Sequence, residues 1–340
     1  MKKTVSIGLA LVFVFLGLAA CKKSAATGAD VALGLLPKNV QGIVVIDVNK
    51  AMTTAVVDKA LKESKEYQKY QEFIKETGID PQKDIYFVAF GISGIGQSGE
   101  TSGSGVGIIN LKYNKDTLLP KLKEKATNVQ ETVYEGVTIY AVPEGEGKIS
   151  MSGAFLDNAH IAIGEDKELK AVIDVFAKKA DNVFKNAELS ALINKSNKAA
   201  MVWAAIQFPP EMMKGVAASN PMASDLGDIK AIQIYFDYAN KSLQLEIKAV
   251  GGDAEKNKKL AETLTGFKAL GGMAGGDKPE IGELINKIEI SSASDAVKIF
   301  ANVPEDLLNK LSATATKTVE EKLEGAKTEE KKDEKKETKK

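Results

Sequence analysis

The chain has 340 residues, and its 46 lysines balance 46 aspartates and glutamates with no arginine present. Arginine supplies the planar fork used for bidentate phosphate and base-edge recognition, so a neutral chain without it fits nucleic-acid binding poorly. One histidine and one cysteine also fall short of a zinc centre, which takes three or four nitrogen or sulfur ligands.

In chain order, Lys2 and Lys3 come first, followed by an apolar run from Val5 to Leu18 that only Ser6, Gly8 and Gly17 interrupt. A bilayer-spanning helix needs roughly 20 apolar residues; this run has the length of a signal-peptide core. It ends in Leu18-Ala19-Ala20-Cys21, with the chain's single cysteine last. An unpaired thiol is an odd thing to keep in an oxidising compartment. The segment resembles the lipobox of bacterial lipoproteins. That resemblance covers the leader alone. It implies a signal peptide over 1–20, recognition of Leu18, Ala19 and Ala20 by the signal peptidase, and lipid on Cys21. It also implies two or three acyl chains, where a single one binds a membrane only marginally. The expected location is the cell envelope, held to the membrane by the anchor on Cys21. In a Gram-negative host, Lys22 stands where a retaining aspartate would be, which favours the periplasmic face of the outer membrane. A plain signal peptide followed by an incidental cysteine is the alternative.

Residues 21–30 are small and polar and read as a tether. Gly42 to Val48 predicts a buried strand, and Val57, Leu61, Tyr67, Tyr70 and Ile74 predict one long amphipathic helix that stops at Gly78. Asp84–Ser93 and Gly105–Tyr113 read as strands, and Leu118, Leu119 and Leu122 as a helix. Val137, Ile139 and Ala141 alternate with polar neighbours, as do Ile149, Met151, Gly153 and Phe155, and Asp157-Asn158 signals a turn. Ile161–Gly164 then leads into a helix with Leu169, Val172, Ile173 and Phe176 at i, i+3, i+4, i+7. The order recurs: a strand over 199–208, a helix at Pro209-Pro210, and a hairpin of 230–238 and 242–250 around Asn240-Lys241. Leu243, Leu245 and Ile247 alternate there with Gln244, Glu246 and Lys248, as in a sheet with one wet face. A helix with Leu260, Leu264, Phe267 and Leu270, strands at 288–290 and 297–300, and a helix opening at Pro304 complete the series.

These elements predict an α+β fold of mostly antiparallel sheet with helices packed on one face. The recurrence suggests two duplicated units, 31–190 and 191–313, as in a tandem repeat; many α+β chains alternate in the same way without duplication. The tail over 314–340 holds little but Lys, Glu, Thr and Ala, and reads as disordered. The cadences Gly78-Ile79-Asp80-Pro81-Gln82-Lys83-Asp84 and Glu135-Gly136-Val137-Thr138-Ile139-Tyr140 resemble uncharacterised secreted bacterial proteins, a likeness that implies architecture and no chemistry.

No catalytic, cofactor or metal residue is assigned from sequence. Gly94-Ile95-Gly96-Gln97-Ser98-Gly99 matches G-x-G-x-x-G, but the helix that would hold a pyrophosphate is missing, so a hairpin connection is expected. His160 beside Asp157 reads as a surface-loop residue, since no G-x-S-x-G elbow accompanies it. Asp47, in an apolar strand, is the acid of most interest; its simpler reading is a strand-end residue facing solvent or pairing with a lysine. Asp80 and Asp84 lack the ligand rhythm of a calcium loop. Met201, Met212, Met213 and Met222, near Trp203 and Phe208, read as core, with an adaptable binding surface as the alternative. The expected function is that of a non-catalytic, membrane-anchored envelope lipoprotein binding a protein partner or an apolar ligand. The alternative is an envelope hydrolase with a carboxylate or serine site that no motif reveals.

Overall fold

Strand β1 (Gly42–Asp47) is apolar throughout until Asp47, as befits a strand with neighbours on both sides. The computed structural model describes residues 28–97, 103–126, 128–142, 151–219, 221–274 and 278–314. After β1 come β2 (Ile85–Ser93), β3 (Ser104–Leu111), β4 (Gln130–Tyr134), β5 (Val137–Val142), β6 (Met151–Phe155) and β7 (His160–Gly164). The second half supplies β8 (Val202–Gln207), β9 (Ile229–Ala239), β10 (Ser242–Gly251), β11 (Ile288–Ser292) and β12 (Ala296–Pro304). All twelve form one sheet in the order β11-β12-β10-β9-β8-β1-β2-β3-β7-β6-β5-β4. Every neighbouring pair is antiparallel. The protein is α+β.

The helices are α1 (Ala29–Leu33), α2 (Val48–Met52), α3 (Ala55–Glu63), α4 (Tyr67–Thr77), α5 (Pro81–Asp84) and α6 (Lys115–Lys125). They continue with α7 (Asp166–Phe176), α8 (Ala187–Lys195), α9 (Pro210–Ser219), α10 (Ala254–Ala274), α11 (Pro279–Asn286) and α12 (305–314). The tether expected up to Asp30 is shorter at its described end: α1 begins at Ala29, and Asp30 pairs with Lys198 at 2.8 Å. The leader, Cys21 and the tail beyond 314 lie outside the described residues.

Helices flank both faces of the sheet, which corrects the expectation of one. Successive side chains of a strand point to opposite faces. Ile43 and Val45 of β1 join Leu33, Ile108, Leu169 and Trp203 in a core closed by α1, α7 and α8. Ile46 faces the other way, into a core of Met52, Val88, Ile109 and Leu118 beneath α2–α6. The pairings Val44↔Ala204, Ile206↔Ile232 and Ile232↔Ala249 carry that second face across to α9 and α10, whose Met213 and Leu260 pack on it with Val297. Leu307 of α12 seals the end of the same face over Ala301 and Val303. On the first face Glu246 and Lys298 reach each other diagonally across β10 and β12, 3.5 Å apart, so this end of the sheet has the wet side that its alternation predicts.

The strands leaving the centre follow one sequence in each half: β1-β2-β3-β7-β6 is matched by β8-β9-β10-β12-β11. The halves share a single sheet through the β1–β8 pair, and residues 190 and 191 both lie inside α8. Locally, the long helix expected over 57–74 is two helices. Both the hydroxyl and the N–H of Ser64 donate to the Leu61 carbonyl, at 2.7 and 3.1 Å, and end α3 there. Gly78 closes α4 at φ 71°, the left-handed position that favours glycine. Asn240 and Lys241, at φ 52° and 56°, make the tight turn between β9 and β10.

Candidate functional site

The floor of the candidate site is the α4–α6 side of β2, β3, β7, β6 and β5, and its roof is α4, α5 and α6. Between them lies a cavity of about 350 Å³. Ile109, Leu111, Ile161 and Ile163 line it from the sheet, and Phe73, Leu118, Leu119 and Leu122 from the helices. On the floor, Gly153 of β6 stands opposite Tyr140 on one side and Ile163 on the other, and contributes no side chain. Cavities of this size fall within the range that holds small ligands, and apolar voids far smaller stay dry.

Leu122 and Met151 are 46% and 42% exposed, high for large apolar side chains, and mark where the cavity meets solvent. Among the described residues Lys123 is the only charged one on its wall. Its Nζ lies 2.5 Å from Glu131 Oε1 and 5.8 Å from the centre of the Tyr140 ring, and the bond to Glu131 raises its pKa. Phe155 packs between Tyr113 and Tyr140, at ring-centre distances of 5.5 and 5.8 Å, with Lys115 Nζ 5.3 Å from its own centre. Burial and the Asp157 carboxylate push the Tyr113 hydroxyl up to about 12. The cavity can hold an apolar body and, among the described residues, offers a single cation at its rim.

His160 is buried at the start of β7, a correction to its reading as a surface-loop residue. Its Nδ1 lies 2.9 Å from both oxygens of Asp157, and its Nε2 lies 3.0 Å from Asn110 Nδ2. That amide nitrogen can only donate, and it also reaches the Ala159 carbonyl. Nε2 therefore accepts, and Nδ1 carries the proton towards Asp157. Both ring nitrogens are engaged, which leaves no free lone pair to activate a serine.

Asp47 caps α2. Its Oδ1 accepts from the Lys50 N–H at 2.8 Å, while the Lys50 side chain goes to Asp237 at 2.7 Å. Burial raises the Asp47 carboxyl above its ordinary value, outweighing the Lys50 hydrogen bond and charge that lower it. Asp80 caps α5 through Gln82 N, and Asp84 accepts from Asp80 N, so both serve the turn. Among the described residues no three or more His, Cys, Asp or Glu gather as metal ligands.

The G-x-G-x-x-G stretch lies between the paired strands β2 and β3, as a hairpin connection; its last two residues are outside the described ones. The methionine and aromatic group is not one cluster: Trp203 belongs to the α8 side of the sheet, and Phe208 and Met213 to the α9 side. Little in the sequence signalled the cavity, whose wall is assembled from segments between residues 73 and 163. The one local signal was the Leu118, Leu119, Leu122 triplet.

The fold and cavity define an α+β protein with one twelve-stranded antiparallel sheet and an apolar site on one face. No family model and no curated protein sequence matches the chain. Among solved structures it is similar to TP0453. Crystal form I is 10% identical with a TM-score of 0.44, over 83% of this chain and 96% of that one. Crystal form III is 11% identical with a TM-score of 0.47, over 83% and 97%. Crystal form IV is 10% identical with a TM-score of 0.46, over 82% and 96%. No helix among the described residues is long and apolar enough to cross a membrane.

Proposed function

We propose that the chain is a non-catalytic envelope lipoprotein, anchored through lipid on Cys21, whose cavity binds an apolar ligand. The observation that carries the binding half is the cavity wall, with Lys123 as the single charge among its described residues. The anchor half rests on the leader, from Lys2 to the lipobox ending at Cys21. With two or more acyl chains, each buried methylene contributing about 0.8 kcal/mol, such an anchor holds a protein without a spanning helix. Lys22 favours the periplasmic face of the outer membrane in a Gram-negative host. The matching strand orders of the two halves support a tandem duplication of 31–190 and 191–313, with the cavity in the first unit.

Two measurements test the two halves. Titration of the purified protein with an uncharged fluorescent apolar probe gives saturable binding; a linear, non-saturating signal would overturn the ligand reading. Metabolic labelling with a fatty acid marks the protein, and Cys21→Ala abolishes the label and releases the protein from membranes. An unmodified thiol in the mass spectrum of the processed protein would overturn the anchor.

A further inference from the structure

We infer that the cavity takes a single-chain amphiphile with an anionic head, such as a long-chain carboxylate, whose head meets Lys123 in place of Glu131. The inference rests on the apolar-ligand reading and adds a head group to it. An unpaired charge inside an apolar cavity is strongly disfavoured, so a charged head must stay at the opening, where Leu122 and Met151 are exposed. Lys123 follows Leu122 on α6 and is the one charge that the described wall residues present. Its present partner is replaceable: the Lys123 and Glu131 side chains are 43% and 45% exposed, and pairs this open to water are weak.

Sign follows from the same geometry. A carboxylate gains the ammonium, a neutral head gains nothing from it, and a quaternary ammonium is repelled. Size limits the tail. About 350 Å³ is more than twice the roughly 150 Å³ that accepts benzene, yet near the lower end of the range for small-ligand sites. One chain fits that space better than two.

The test uses the full-length protein and displacement of the uncharged probe by dodecanoate, by its glycerol monoester, and by dodecyltrimethylammonium. The expected order is dodecanoate ahead of the monoester by about fivefold, the ceiling for a half-exposed ion pair, with the ammonium weakest. Lys123→Met brings dodecanoate and the monoester together, and Glu131→Gln widens the gap. Equal displacement by the two in the unaltered protein, or a gap that survives Lys123→Met, overturns the head-group assignment. A probe that fails to bind at all overturns the cavity reading, and this inference with it. Binding of the probe and of the monoester with no preference for the carboxylate leaves the cavity reading standing and removes only the head group.

Discussion

Gly153→Ile tests whether the cavity is a real void. Gly153 faces it from the floor, and a Cβ built there meets only the Ala162 carbonyl, at an ordinary 3.7 Å. Burying an isoleucine side chain contributes about 1.5–3 kcal/mol, and removing a strand glycine adds roughly 0.5–1 kcal/mol. Some of this is lost in fitting a branched side chain among Tyr140 and Ile163, leaving an expected gain of about 2–3 kcal/mol. In a chain of this length each kcal/mol moves Tm by roughly 2 °C, so a rise of about 4–6 °C is expected. Probe binding falls with the space. Gly107 supplies the control, because it pairs with Ile163 from the other side and looks the same in sequence. A Cβ there would stand 3.0 Å from the Phe90 ring, so Gly107→Ile overpacks and lowers Tm. Circular dichroism melts and probe titrations read both effects. A loss of stability in Gly153→Ile, or unchanged probe binding, would refute the reasoning.

Two further substitutions probe buried or half-buried polar side chains. Ser152 Oγ is buried on the opposite side of β6 with no hydrogen-bond partner among the described residues, so Ser152→Ala is expected to stabilise by about 1 kcal/mol in urea unfolding; a loss of that size would reveal a partner. Asp47 binds its proton more tightly in the folded chain than in the unfolded one. Its contribution to stability therefore falls as pH rises from its ordinary value of 3.8 through the raised folded value. Asp47→Asn keeps an acceptor for the Lys50 N–H and removes that decline. The variant is expected to match the parent below 3.8 and exceed it above the window, and parallel pH profiles would contradict this.

Where one element's periodicity met one packing surface, the structure was legible in the sequence. Leu169, Val172 and Ile173 of α7 lie at helical spacing because a single face of that helix is buried, and the alternation of Leu243 to Lys248 sends Leu243 towards Ala301 and Val303 and Glu246 to Lys298 on the other face. Strand β4 escaped notice because it is an edge, with Val133 74% exposed and no inward row to alternate. The short helices α8 and α11 were also unanticipated. Neighbours in sequence misled at Trp203 and Phe208, since an odd offset along the chain sent them to opposite faces. The burial of His160 was not legible because its side-chain partner on β3, Asn110, is fifty residues away. The cavity is non-local in the same sense: its wall is assembled from residues far apart in the chain, and only their failure to meet is unusual.

The β1–β8 seam has a consequence for a polypeptide that emerges from one end. Until 202–207 are synthesised, the first half can assemble every strand pairing but one, and the missing one is on its most apolar strand. That intermediate offers a row of unsatisfied amides and carbonyls flanked by Ile43, Val45 and Ile46, a template for any other extended segment. Chains truncated between Gly164 and Val202 are therefore sticky half-sheets, and the last-arriving half caps them.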